Sequence, residues 1–129
     1  IRFCPQICYD LRFPIWSRNS DGKSKLPVYD CLIYVANWPE ARSDAWISLL
    51  KARAIENQAF VVGVNRVGLD GNGIKYSGDS RFFSPKGDRL DQVISSKEMI
   101  SIVTIDMTML NEFRENFPVF HDGDLFKLL

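Results

Sequence analysis

The chain has 129 residues, 16 basic and 16 acidic side chains, and a formal net charge of zero. That length suits one modest domain or part of a larger one, and 46% hydrophobic residues supply a core, which argues against wholesale disorder. The charge balance argues against a nucleic-acid or anionic-membrane partner, and no apolar run approaches the ~20 residues of a membrane span.

Residues 1–7, IRFCPQI, read as a buried strand in which Pro5 marks an edge or a bulge. Residues 13–20, FPIWSRNS, read as a short helix with Pro14 near its first turn, followed by a turn over 21–27. Residues 29–36, YDCLIYVA, are a second buried strand with Cys31 in the core, and NWPEARSD at 37–44 is a loop. The clearest helix covers 43–58: Ser43 caps it, Asp44 suits its positive end, and Trp46, Leu49, Leu50, Arg53, Ala54 and Asn57 share one face. A third strand follows at 59–68, then a Gly/Asp-rich loop at 69–73.

The period then changes. Residues 74–85 read as an antiparallel strand broken at Gly78, PKGD at 85–88 as a turn, and 89–95 and 98–106 as further strands. Residues 107–117 form a helix with Met107, Leu110, Phe113 and Phe117 in one stripe. Strand–helix alternation followed by a meander predicts an α/β layered fold with a mixed sheet.

Three cysteines form an odd set in a domain that needs no disulfide stapling, so reduced thiols and a cytoplasmic location are expected. His121 is the single histidine and the Cys4–Cys8 spacing suits no zinc motif, so neither metal nor cofactor is expected. The chain opens on Ile1 rather than methionine and shows no signal peptide, which points to a piece of a longer chain.

Cys8 stands where the first strand ends and a turn into a helix begins. Such an elbow lifts one side chain clear of the sheet and leaves the following backbone N–H groups pointing outward. Those donors suit an oxyanion, and a helix start favours a negative sulfur. Cys4, inside the strand, has none of these features. Against this stands the common fate of a cysteine at a strand end, which is an inert core residue.

The strings ICYDLRFP, YDCLIYVANWP and KARAIENQAFVVGVNRVG, running on to FPVFHDGDLF, resemble the nitrilase superfamily of carbon–nitrogen hydrolases over nearly the whole chain. Within it the likeness is to the omega-amidases, which hydrolyse the side-chain amide of small 2-oxo acids. The resemblance implies the C-terminal part of a four-layer α-β-β-α sandwich with mixed sheets, residues 1–129 being part of a single domain. It implies Cys8 as nucleophile and the Tyr9 backbone N–H as oxyanion donor. It implies a substrate pocket bordered by Asn37, Trp38 and Arg42, with Arg42 the candidate to meet a carboxylate. The implied partner is a small amide, and copies of the chain are expected to associate as a homo-oligomer.

The family's glutamate base and its lysine lie before the cysteine, where this chain has seven residues. Glu40, Glu56, Lys51 and Lys75 match neither position. Glu56 is expected to pair with an arginine, and Asp10 and Arg12 to cap the turn or pair with each other. Phe82 and Phe83 are expected to pack on the sheet. The chain on its own is therefore expected to have negligible amidase activity. Two alternatives are a non-catalytic binding or regulatory domain that keeps the fold, and a thiol hydrolase using Cys8 with His121.

Overall fold

The computed structural model describes residues 1–124. Strands β1 (Phe3–Ile7), β2 (Cys31–Ala36) and β3 (Phe60–Asn65) lie parallel in the order β1-β2-β3, and β6 (Arg81–Phe83) adds antiparallel to β3. A mixed sheet is thus present, as the alternation predicts. β1 is an edge strand of this sheet, where Pro5 is tolerated, and it is not the buried strand expected, since Phe3 and Ile7 are exposed. A hairpin of β4 (Val67–Leu69) and β5 (Lys75–Ser77) stands apart from it. Its turn is held by Asp70, whose carboxylate accepts from the N–H groups of Asn72 and Ile74 and from the Tyr76 hydroxyl.

Helix α1 (Ser43–Glu56) covers one sheet face. Trp46, Leu50 and Ala54 bury against Leu32, Tyr34, Val61 and Phe83. The helix lies unusually close to β3: a Cβ on Gly63 would come within 2.4 Å of Leu50 and 2.7 Å of Trp46. Helix α2 (Met107–Asn116) closes the start of the opposite face, with Leu110 against Cys31 and Phe60. Asp106 caps α2 by accepting from the N–H groups of Thr108 and Met109. A buried carboxylate ties these layers together. Asp30 accepts from Arg2 at 2.9 Å and from Arg114 at 2.8 Å, and Arg114 also donates to the carbonyls of Tyr29 and Gln58.

Several local expectations change. The helix expected over 13–20 is a 3-10 turn, Pro14–Ser17, and a second 3-10 turn, Cys8–Arg12, directly follows β1. Ser43 does not cap α1; it is the first helical residue, and its hydroxyl donates to Asp79 at 2.7 Å. The helix ends at Glu56 because Gln58 takes a left-handed φ of 40°, which turns the chain into β3.

The strands expected at 89–95 and 98–106 do not form. Beyond an isolated bridge between Phe83 and Arg89, the Asp91 carboxylate takes over as acceptor for the N–H groups of Phe82 and Val93 and for the Arg89 guanidinium. A side chain thereby replaces the ladder. Over 98–106 the apolar Ile100 and Ile102 are 89% and 92% exposed, and no described strand lies beside them to complete a ladder. Hydrophobic alternation alone cannot make a strand without a partner. Leu125 and Phe126 of the closing string lie outside the described residues.

Candidate active site

The carboxyl ends of the three parallel strands carry the site, as open α/β sheets dispose their ligand-binding residues. Cys8 follows the last residue of β1, Asn37 follows the last residue of β2, and Asn65 closes β3. Ladder register sets Ile7 beside Val35 and Ala36 beside Asn65, so the three ends are level.

Cys8 adopts a φ of 40°. A non-glycine residue in this region costs of order 1 kcal/mol or more and persists where its surroundings enforce it. Two contacts do so here. The Asp10 carboxylate accepts the Ile7 N–H at 2.9 Å, pinning the turn from below, and Arg53 of α1 donates to the Leu11 carbonyl at 2.7 Å. Tyr9 is the second residue of the 3-10 turn, so its N–H has no acceptor within that turn.

A cleft of about 470 Å³ opens beside the sulfur, lined by Cys8, Tyr9, Arg12, Asn37, Trp38, Pro39 and Arg42. All five residues singled out from the sequence line it: Cys8, Tyr9, Asn37, Trp38 and Arg42. Arg12 is an addition. Its guanidinium lies 5.0 Å from the centre of the Trp38 ring; of the two expected roles for Asp10, capping the turn is the one seen, and no Asp10–Arg12 pair forms. Trp38 is buried, stacks at 5.4 Å on Trp46, and donates its indole N–H to the Arg42 carbonyl at 2.8 Å.

Asn65 was missed. Its side-chain oxygen accepts the Trp38 N–H at 2.7 Å, and its amide nitrogen donates to the carbonyls of Trp38 at 2.9 Å and Gly78 at 2.7 Å. The available signal was an asparagine at the carboxyl end of a parallel strand, in VGVNRVG. Beneath it, Asp79 sits at φ 52° and accepts from Ser43, Ser77 and Arg81, while Trp46 donates to its carbonyl. Burial opposes ionisation of Asp79, but the hydroxyl donors and Arg81 outweigh it and hold the carboxyl below its usual range.

The remaining candidates lie elsewhere. Glu56 pairs with Arg53 at 3.1 Å, as expected of a structural group, and Glu40 pairs with Lys75 at 3.1 Å. Phe83 is core and Phe82 packs against the second cluster. His121 occupies a 3-10 turn, Val119–His121, where its carbonyl accepts from Lys25; it is not among the cleft residues. Burial and the neighbouring Asp30 push the Cys31 thiol up to about 12, so it is a core residue without nucleophilic character at neutral pH. No group of three potential metal ligands occurs among the described residues.

Residues 1–115 match the carbon–nitrogen hydrolase family. The chain belongs to this family. It is 50% identical over 127 residues to the omega-amidase YafV of Escherichia coli K12, covering 98% of this chain and 47% of that relative. It is 40% identical over 116 residues to the 2-oxoglutaramate amidase of Bacillus subtilis, covering 90% of this chain and 42% of the relative. A CN-hydrolase superfamily protein from Xanthomonas campestris, solved with an arsenic adduct in its active site, superposes with a TM-score of 0.90 at 45% identity, over 98% of this chain and 48% of that one. This carbon–nitrogen hydrolase chain thus spans about half the length of the curated relatives it matches.

Proposed function

We propose that Cys8 is the nucleophile of an amide-hydrolysing reaction on a small 2-oxo acid, in a protein for which these residues form the C-terminal part of the catalytic domain. The observation that carries this reading is the meeting of three features at one cleft: a thiol on an enforced left-handed bend, a backbone N–H beside it, and two arginines lining the same cleft. The names of the Escherichia coli and Bacillus subtilis relatives support the substrate class.

In this mechanism the sulfur, its proton passed to a base, adds to the amide carbonyl while the Tyr9 N–H donates to the developing oxyanion. The tetrahedral species collapses to a thioester, and ammonia leaves with the proton that the base returns. Water, deprotonated by the same base, then displaces the sulfur and releases the carboxylic acid. Arg42, with Arg12 beside it, meets the substrate carboxylate, and Asn37 and Trp38 wall the pocket. No cofactor enters these steps.

The cleft residues include no carboxylate and no lysine, so the base and the cation for the intermediate are not supplied by the cleft as it stands. The 129 residues alone therefore turn over amides negligibly, because such groups act as a unit. Exposed Tyr9, Phe13, Ile15 and Trp16, clustered beside the nucleophile, support association between copies of the chain. Among the described residues no helix is long and apolar enough to cross a membrane.

Ammonia release from 2-oxoglutaramate tests the proposal. It is expected from a protein carrying this chain at the length of its relatives, lost on Cys8→Ala, and absent from the 129 residues alone. Turnover that survives Cys8→Ala overturns the nucleophile; turnover by the isolated chain overturns the missing-base argument.

A further inference from the structure

Both arginines at the cleft touch one side chain, Trp38. The Arg12 guanidinium rests on the Trp38 ring, and the Arg42 carbonyl is held by the Trp38 indole N–H. Trp38 in turn has both its backbone N–H and its carbonyl bound by the Asn65 amide, which reaches across from the neighbouring strand. Asn65 itself is not among the residues that line the cleft.

We infer that Asn65 is a positioning residue that acts through Trp38 to set Arg12 and Arg42 for recognition of the substrate's anionic end, an inference that rests on the proposed amidase reading. Three features support a dedicated role rather than general packing. The Asn65 side chain makes three hydrogen bonds at 2.7–2.9 Å, all to backbone groups of two different loops. No other side-chain type of this size offers one acceptor and two donors in that arrangement. Its own backbone is also held, with its N–H donating to the Ser80 hydroxyl at 2.9 Å, so the amide projects from a fixed base.

The second loop matters too. Gly78, whose carbonyl accepts from Asn65, has a φ of 71° and precedes Asp79 at 52°. Asn65 thus clamps loop 37–39 against a turn that also holds the start of α1 through Ser43. The wall is referenced to the sheet and to the helix at once. Removing the amide frees Trp38 to shift, and displacement of both arginines follows while Cys8, held by Asp10 and Arg53, stays in place.

The test uses Asn65→Ala in the protein at the length of its relatives, with two readouts. Cys8 alkylation by iodoacetate and by iodoacetamide compares an anionic with a neutral reagent of similar size, independently of turnover. Steady-state kinetics with 2-oxoglutaramate give kcat and KM. The expected result is a several-fold fall in the iodoacetate preference with the iodoacetamide rate retained. KM is expected to rise by about tenfold or more, with a smaller change in kcat. A preference and a KM within a factor of two of the parent overturn the inference, as does a fall in both alkylation rates together, which marks general collapse of the elbow. If Asn65→Ala does not fold, Asn65→Ser replaces it: this adds no charge, its hydroxyl is too short to bridge Trp38 and Gly78, and the same outcomes apply. A parent that alkylates selectively yet does not hydrolyse the amide sinks the amidase reading while leaving the alkylation ratio to decide the role of Asn65.

Discussion

Gly63→Ala probes the contact that joins the core to the cleft. The added methyl would lie 2.4 and 2.9 Å from the two Leu50 methyls and 2.7 Å from the Trp46 ring, against an ordinary carbon–carbon separation of about 3.5–4.0 Å. Leu50 and Trp46 are both fully buried, and the Trp46 indole is tied to the Asp79 carbonyl at 2.9 Å, so neither can swing outward. Overpacking of this kind costs about 2–3 kcal/mol, near the top of its usual range. The φ of Gly63 is not in the left-handed region, so alanine fits the backbone and recovers roughly 0.4–1 kcal/mol by restricting the unfolded chain. The net loss is about 1–2.5 kcal/mol. With a urea slope of about 1–3 kcal/mol per molar, the unfolding midpoint drops by about 1 M at unchanged slope. A double variant with Leu50→Ala removes two of the three clashes, including the closest, so the pair is expected to lose at least about 1 kcal/mol less than the sum of the single changes. Strict additivity, or a midpoint unaffected by Gly63→Ala, refutes the reasoning. Because Trp46 stacks on Trp38, the same variant is expected to disturb the cleft wall.

Stability is expected to fall in acid with a defined sign. Burial opposes ionisation of Asp30 and Asp79, but Arg2 and Arg114 outweigh it at Asp30, and the hydroxyl donors with Arg81 do so at Asp79, so both folded values lie below the unfolded one. Their contribution is complete above the unfolded value of about 3.9 and is lost as pH falls below it toward the folded values. Urea midpoints between pH 7 and 3 are expected to fall more steeply for the parent than for Asp30→Asn; parallel curves contradict this. Cys31 is expected to resist alkylation in the native protein through pH 9 and to react once urea is added; peptide mass mapping that finds Cys31 labelled in the native state contradicts the burial argument.

Much of this was legible in the residues. β2 and most of β3 are continuous apolar runs, as strands need where both faces of the sheet are covered. The elbow at Cys8 followed from a strand meeting a polar turn, and the cleft gathers the residues read from ICYDLRFP and NWP. Much of what stayed hidden traces to side-chain contacts that override a local pattern. Asp91 stops a ladder that the alternation around it favours. Ser43 gives up its cap for Asp79, 36 residues away. Asn65 looks like an ordinary strand end until Trp38 and Gly78 are seen on either side of it. Arg12 was expected to cap the turn or to pair with Asp10, two residues before it; Asp10 does cap the turn, whereas Arg12 goes to Trp38.

Stoichiometric inactivation, followed by mass mapping of the modified peptide in a catalytically active protein bearing this chain, bears on the core idea most directly. One equivalent of iodoacetamide on Cys8, incorporated in step with loss of ammonia release, is the expected result. Full modification of Cys8 with turnover intact, or inactivation that tracks label on Cys4 instead, would show that the bend at residue 8 does not carry the reaction.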